Sequence, residues 1–159
     1  MHIATKSSKI DITLEKDTKS IAQEISRNLS KGDIVFLYGE IGVGKTTFIR
    51  HFINYLQLKS NIKATEVPSP TFNIVYEYKI DELIIQHYDL HRVKSEIELK
   101  NIGLFENQKH LIILVEWPEI IKEKPKNIIE LNFNYEENLT KRSLTISSKH
   151  KNKIFNEFK

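Results

Sequence analysis

The amino-acid sequence predicts a single α/β domain with a mixed parallel and antiparallel sheet and few helices. An apolar run at 34–38 is followed by a glycine-rich segment at 39–44 and then by a helical pattern. A second apolar run, at 110–115, is continuous, as in a strand with both faces buried in a parallel sheet. Only two polar residues separate the β-rich runs at 73–80 and 83–88, which allows an antiparallel hairpin but no crossover.

The N-terminal part of the chain adds one strand and two helices to this prediction. Residues 10–14 alternate apolar and polar side chains, as a half-buried strand does. A helix is predicted over 19–29 because its apolar residues share one face, with Asp17 or Thr18 as the N-cap. A second helix is predicted from the end of the glycine-rich segment to about residue 58.

The rest of the chain adds a rigid loop, a short helix and a hairpin. Two prolines within 65–72 exclude a helix there and predict an extended loop. A short capped helix is predicted over 95–100, and Gly103 is the residue predicted to stop it. The runs at 127–135 and 142–147 predict a hairpin that closes the sheet.

Composition excludes several classes of protein. The sequence has no cysteine, which excludes disulfides and thiolate metal sites, and its six histidines show no metal-site spacing. No apolar run reaches the roughly 18 residues that a membrane helix needs, and the N-terminus lacks the apolar core of a signal peptide. We therefore expect no membrane partner and a cytoplasmic location.

The net charge of +3 does not predict a nucleic-acid-binding face. The segment 149–159 has four lysines and one glutamate and carries the whole excess, whereas the remainder has 20 basic and 20 acidic residues. No basic stripe with interleaved aromatic residues occurs. We expect a folded domain over 1–148 and a basic, flexible tail over 149–159.

The glycine-rich segment and the Lys-Thr pair after it have the pattern of a phosphate-binding P-loop. The glycines allow backbone N–H groups to turn toward phosphate oxygens, and the following helix points its positive end at the same anion. Lys45 can reach the outer phosphates and is therefore also predicted to be catalytic, and the Thr46 hydroxyl can bind Mg²⁺. The domain is therefore predicted to be P-loop NTPase-like. The residues predicted to contact the nucleotide here are Gly39, Glu40, Ile41, Gly42, Val43, Gly44, Lys45, Thr46 and Thr47.

Two carboxylates at strand ends are candidates for catalysis. Glu116 directly follows the apolar strand and is predicted to be the second group on the metal side, beside Thr46. We expect it outside the buried run, so that its loss costs little stability. Asp89 ends the strand at 83–88, where it can orient water or help to hold the metal, but a plain turn residue is equally compatible.

Two further residues stay ambiguous from the sequence. Thr71 lies in the proline loop, where P-loop proteins often keep a residue that senses the γ-phosphate, but taken alone this position fits a plain loop hydroxyl better. Trp117 follows Glu116 and can pack at the sheet edge, cover a nucleotide base or form a partner surface.

Four motifs in this order resemble the TsaE family, small bacterial P-loop ATPases of tRNA threonylcarbamoyladenosine synthesis. The resemblance covers about 18–147, and one departure is His91, where the family usually has tyrosine. The motifs are the P-loop with Thr47-Phe48, Ser69-Pro70-Thr71-Phe72, His87-Tyr88-Asp89-Leu90-His91-Arg92 and Val115-Glu116-Trp117-Pro118.

The resemblance implies specific roles for these positions. It implies that Lys45 and Thr46 bind ATP and Mg²⁺, that Glu116 is on the metal side and that Asp89 matters for hydrolysis. It also implies that Thr71 lies in a switch-like loop. Thr18 matches a family position near the base.

The family reading also implies partners. Such a protein is a weak ATP hydrolase, stimulated by the TsaB–TsaD heterodimer, and supports modification of adenosine 37 in ANN-decoding tRNAs. It contacts tRNA only through that complex.

The alternative is a P-loop small-molecule or nucleotide kinase. Such enzymes often hold the transferred phosphate with several arginines on a lid, but residues 47–110 contain only Arg50 and Arg92. A GTPase would need an Asn-Lys-x-Asp motif, which is absent. A non-catalytic, nucleotide-dependent binding module remains a further possibility.

Overall fold

One mixed β-sheet organises residues 5–150, the part of the chain that the computed structural model describes. In this part the sheet has eight strands, and three α-helices pack around it. Short 3₁₀ turns cover Gln108–His110 and Pro118–Ile120. The elements are β1 (Thr5–Lys6), β2 (Ile10–Asp11), α1 (Glu15–Asn28), β3 (Ile34–Tyr38), α2 (Lys45–Lys59), β4 (Val75–Ile80), β5 (Leu83–Asp89), α3 (Glu96–Asn101), β6 (Leu111–Glu116), β7 (Ile128–Glu136) and β8 (Lys141–Ser148).

The sheet is parallel at its centre and antiparallel toward its edges, which confirms the predicted fold class. Its order is β1-β8-β7-β3-β6-β5-β4, and β2 also pairs with β8. Strand β3 runs parallel to β6 and β7, β6 runs parallel to β5, and both predicted hairpins, β4–β5 and β7–β8, are present. In this register Glu116 pairs with Leu37 on one side and with Asp89 on the other. The carboxyl ends of three parallel strands therefore meet at one edge.

Two apolar cores cover the two faces of the sheet. Helices α1 and α2 pack on one face, where Phe48 and Phe52 are fully buried. The other core contains Phe36 and Tyr88, with partly buried residues such as Phe105 packed against it. Burying one side chain of this size contributes about 1.5–3 kcal/mol. The five apolar residues of β6 are buried, as the continuous apolar run predicted, and Glu116, which ends the strand, is buried as well.

The start of α1 differs from the sequence prediction. The helix begins at Glu15 instead of residue 19, and its N-cap is Leu14, which makes no side-chain capping bond. The prediction that Asp17 or Thr18 caps the helix is therefore wrong, because both lie within the helix. Glu15 accepts hydrogen bonds from Arg50 and pairs with His51, both on α2, so tertiary contacts hold the first turn.

Strand β2 is shorter than predicted. It contains two residues, because the backbone N–H of Thr13 turns back to the Asp11 carboxylate at 2.8 Å. Within 5–150 no helix is long and apolar enough to span a membrane. Of the predicted basic tail only Lys149 and His150 belong to the described residues, and 151–159 lie outside them.

Candidate functional site

The loop between β3 and α2 has backbone angles that favour glycine. The φ values of Gly39, Gly42 and Gly44 are +143°, +79° and +122°. A Cβ atom on Gly39 would lie 2.7 Å from the carbonyl oxygen of Phe133 on β7. Both the positive φ and the close approach of β7 therefore require glycine at this position.

Lys45 opens α2 and folds its side chain back along this loop. Its ammonium donates to the carbonyl of Gly39 and, at 3.2 Å, to that of Glu40. It also lies 3.8 Å from the centre of the Trp117 ring. Burial lowers the pKa of Lys45 below its usual range, and the nearby Glu116 carboxylate opposes that shift. The site thus holds a desolvated cation that an anion would stabilise.

Glu116 connects α2 to the neighbouring strand β5. Its Oε1 accepts the Thr46 hydroxyl at 2.8 Å, and its Oε2 lies 2.7 Å from Nε2 of His87. Glu116 is only 2% exposed. The expectation that Glu116 lies outside the buried run is therefore wrong, because buried His87 of β5 and half-buried Thr46 of α2 are hydrogen-bonded to its two oxygens.

Asp89 ties the proline loop to the end of β5. Its Oδ2 accepts the Ser69 hydroxyl at 2.7 Å, and its Oδ1 accepts the backbone N–H of His91 at 2.9 Å. The Ser69 hydroxyl lies 3.3 Å from that of Thr71. A movement of Thr71 would therefore alter the position of Ser69 and, through its hydrogen bond, that of the Asp89 carboxylate.

These groups converge on one cavity of about 390 Å³ at the carboxyl edge of the parallel strands. Thr18 is not among its lining residues: it is buried within α1, and a role near a base stays a prediction. Of the P-loop residues, Gly39, Glu40 and Val43 also lie outside the lining. The lining residues are Ile41, Gly42, Gly44, Lys45, Thr46, Thr47, Ser69, Thr71, Asp89, His91, Glu116 and Trp117.

Three residues of this arrangement had no role in the sequence prediction. Ser69 and His91 line the cavity, and the His91 ring packs on Trp117 with 4.5 Å between the ring centres. His87 is fully buried against Glu116. Its signal was available: His87 and Asp89 are two apart on one strand and therefore share a face.

The cavity suits a phosphate group with a bound cation. The positive-φ glycines of the loop, the start of α2 and the buried ammonium of Lys45 are the features of an anion site at a helix start. The described residues contain no group of three or more histidine, aspartate or glutamate side chains that would hold a metal alone. A cation here would therefore need ligand oxygens in addition to Thr46 and Glu116.

Comparison with known proteins shows which family this chain resembles. The family model "Threonylcarbamoyl adenosine biosynthesis protein TsaE" matches residues 12–144. A protein named tRNA threonylcarbamoyladenosine biosynthesis protein TsaE from Rickettsia conorii is 39% identical over 138 residues, covering 86% of this chain and 76% of that protein. The protein of the same name from Aquifex aeolicus is 36% identical over 115 residues, covering 72% of this chain and 78% of that protein.

A solved structure shares the fold. The crystal structure of Bacillus subtilis YdiB superposes with a TM-score of 0.71 at 23% identity, covering 99% of this chain and 94% of that one. The family model spans most of the chain, and the sequence relatives are similar over most of their length. This chain therefore belongs to the TsaE family of tRNA threonylcarbamoyladenosine biosynthesis proteins.

Proposed function

We propose that this chain is a Mg²⁺-dependent ATPase whose ATP hydrolysis supports the TsaB–TsaD complex in forming threonylcarbamoyladenosine at position 37 of ANN-decoding tRNAs. The observation that carries the proposal is the convergence of Lys45, Thr46, Asp89 and Glu116 on one P-loop cavity. Membership of a family that acts in this tRNA modification supports the cellular role. On this proposal the protein works in the cytoplasm and meets tRNA only through the complex.

The triphosphate would be held by the P-loop. The loop N–H groups and the start of α2 supply hydrogen-bond donors and a positive helix end. Lys45 supplies a full charge at the same place, and its burial strengthens the attraction to an anion. A bound phosphate would replace the two loop carbonyls as the partner of this ammonium.

Thr46 and Glu116, which both line the cavity, would hold Mg²⁺. A bound Mg²⁺ supplies neutralisation of the charge that develops on the leaving phosphate. The Thr46 hydroxyl donates its hydrogen to Glu116, so the lone pairs of its oxygen stay available to a cation. Glu116 has lone pairs left over after its two hydrogen bonds, and it can bind the metal directly or through water.

Asp89 would orient the attacking water. Each of its oxygens already accepts one hydrogen bond, from Ser69 and from the His91 N–H, which fixes the carboxylate plane. An ionised carboxylate offers about four acceptor positions, so two remain for water at the cavity wall. The link from Asp89 to Ser69, and from there to Thr71, lets a change of nucleotide state reach the proline loop.

The lining of the cavity favours hydrolysis over phosphoryl transfer to a small acceptor. No arginine is among the described residues that line it, whereas kinases commonly use arginines to hold the transferred group. ADP formation without an added acceptor, measured with and without TsaB–TsaD, tests the proposal. We expect slow release of ADP by the protein alone and faster release with the complex. ADP release that requires a small-molecule acceptor would favour the kinase instead.

A further inference from the structure

His87 is a buried polar residue that the P-loop pattern does not account for. It lies on β5 with 0% of its surface exposed, on the same strand face as Asp89. Its Nε2 is 2.7 Å from Glu116 Oε2. Its Nδ1 is one of the buried side-chain atoms that have no hydrogen-bond partner among the described residues. Glu116 is therefore the one polar contact of the ring in this part of the chain.

The direction of these hydrogen bonds follows from the chemistry of the groups. An ionised carboxylate can only accept, so Nε2 carries the hydrogen that it donates to Oε2. For the same reason the Thr46 hydroxyl donates to Oε1. Glu116 is thus held from two sides, by β5 and by α2. Its orientation is fixed before any ligand binds.

An imidazole is not the side chain that packing alone would favour at this position. A buried polar atom without a partner destabilises the folded state, and Nδ1 is such an atom. Leucine would fill much of the same space without that cost. The donor at Nε2 offsets this cost, because it makes the one hydrogen bond that Oε2 of Glu116 has among the described residues.

From this arrangement we propose that His87 is a positioning residue that holds Glu116 in the orientation required for the Mg²⁺ site. The inference rests on the proposed Mg²⁺-dependent nucleotide site. His87 is not among the residues that line the cavity, and it acts through Glu116. Groups that orient a metal-side residue in this way typically change metal affinity about 10- to 100-fold when they are removed.

The test measures how much Mg²⁺ strengthens nucleotide binding. The affinity for a non-hydrolysable ATP analogue is measured by calorimetry in saturating Mg²⁺ and in EDTA, and the ratio of the two is the metal coupling. For His87→Leu we expect the coupling to fall about tenfold, while the affinity in EDTA stays at the wild-type value. A purely structural role would lower both affinities together.

Two conservative variants keep the test independent of folding. The amide nitrogen of glutamine lies close to the position of Nε2, whereas that of asparagine lies near Nδ1. We therefore expect His87→Gln to retain most of the metal coupling and His87→Asn to lose it. If His87→Leu does not fold, this pair decides the question.

The control is His110→Leu. His110 is exposed at the opposite end of β6 from Glu116, so its loss should leave the coupling unchanged. Coupling within about twofold of wild type in folded His87→Leu, or equal coupling in the glutamine and asparagine variants, would overturn the inference. Absence of any Mg²⁺ effect in the wild-type protein would instead refute the proposed function.

Discussion

Replacing Glu116 by alanine should affect both stability and hydrolysis, and replacing it by glutamine should separate the two. In the alanine variant the Nε2–H of fully buried His87 loses its acceptor. An unsatisfied buried donor costs about 1–3 kcal/mol in the free energy of unfolding. Glutamine keeps one acceptor oxygen for His87, and its amide can donate to the rotatable Thr46 hydroxyl, so most of this stability should remain.

The effect on melting temperature follows from the size of the chain. For a domain of this size, 1 kcal/mol shifts the midpoint by about 2–4 °C, so Glu116→Ala should melt about 2–12 °C below wild type. Hydrolysis should fall about a hundredfold or more in both variants, because neither alanine nor glutamine supplies the negative charge that Glu116 places at the proposed Mg²⁺ site. In glutamine the amide also occupies a lone pair of Thr46 that a cation would use.

Circular dichroism melts and ADP release with TsaB–TsaD present measure the two effects. Glu123→Gln serves as the matched control, since Glu123 is exposed and does not line the cavity, and it should change neither. An alanine variant as stable as wild type would refute the claim that Glu116 satisfies buried His87. Near-normal turnover in the glutamine variant would move the metal role to Asp89.

Four further predictions concern the rest of the site and the cellular role. Lys45→Ala should weaken ATP binding about 10- to 150-fold, because a charge-assisted hydrogen bond contributes about 1.5–3 kcal/mol. Calorimetry measures the affinity, and an unchanged value in a folded variant would contradict the P-loop assignment. Burial lowers the pKa of Lys45, and a bound anion stabilises its charged form. ATP affinity should therefore be highest when the ammonium is protonated, and it should fall as the pH rises through that lowered pKa. A flat affinity up to pH 10.5, the usual pKa of lysine, would contradict this, and Lys45→Ala should abolish the dependence. Ser69→Ala frees one oxygen of Asp89 and should lower turnover about tenfold with little change in ATP affinity; an equal loss of both would mean that Ser69 acts in binding. Depletion of the protein should lower the threonylcarbamoyladenosine content of bulk tRNA, measured by mass spectrometry of digested tRNA. Expression of a chain truncated before Lys149 should restore that content. Normal levels after depletion would refute the proposed role in this tRNA modification.

Much of the fold is determined by local sequence patterns. The strand at 34–38 was predicted with the bounds that the structure has, because an apolar run ends there at a glycine. The helix after Ser95 begins where the capping hydroxyl accepts the N–H of Glu98. The hairpin around 81–82 follows because a two-residue connection is too short for a crossover to a parallel strand. In each case the information lies within a few neighbouring residues.

The candidate site was easiest to predict where its residues are continuous in the chain. Lys45 and Thr46 were identified directly, because loop, lysine and hydroxyl occupy one segment. Asp89 and Glu116 were placed at strand ends, but whether they meet depends on the alignment of β5 against β6. That alignment pairs them, and the alternation along β5 then brings His87 to Glu116 as well.

Tertiary packing decided the features that the sequence prediction missed. The first turn of α1 starts earlier than the cap residues suggested, because Arg50 and His51 of α2 meet Glu15 there. Glu116 is buried instead of exposed, because partners from two other elements satisfy its charge. Such effects join residues 29 to 70 positions apart, and the energy of those contacts exists only after the strands and helices have packed together.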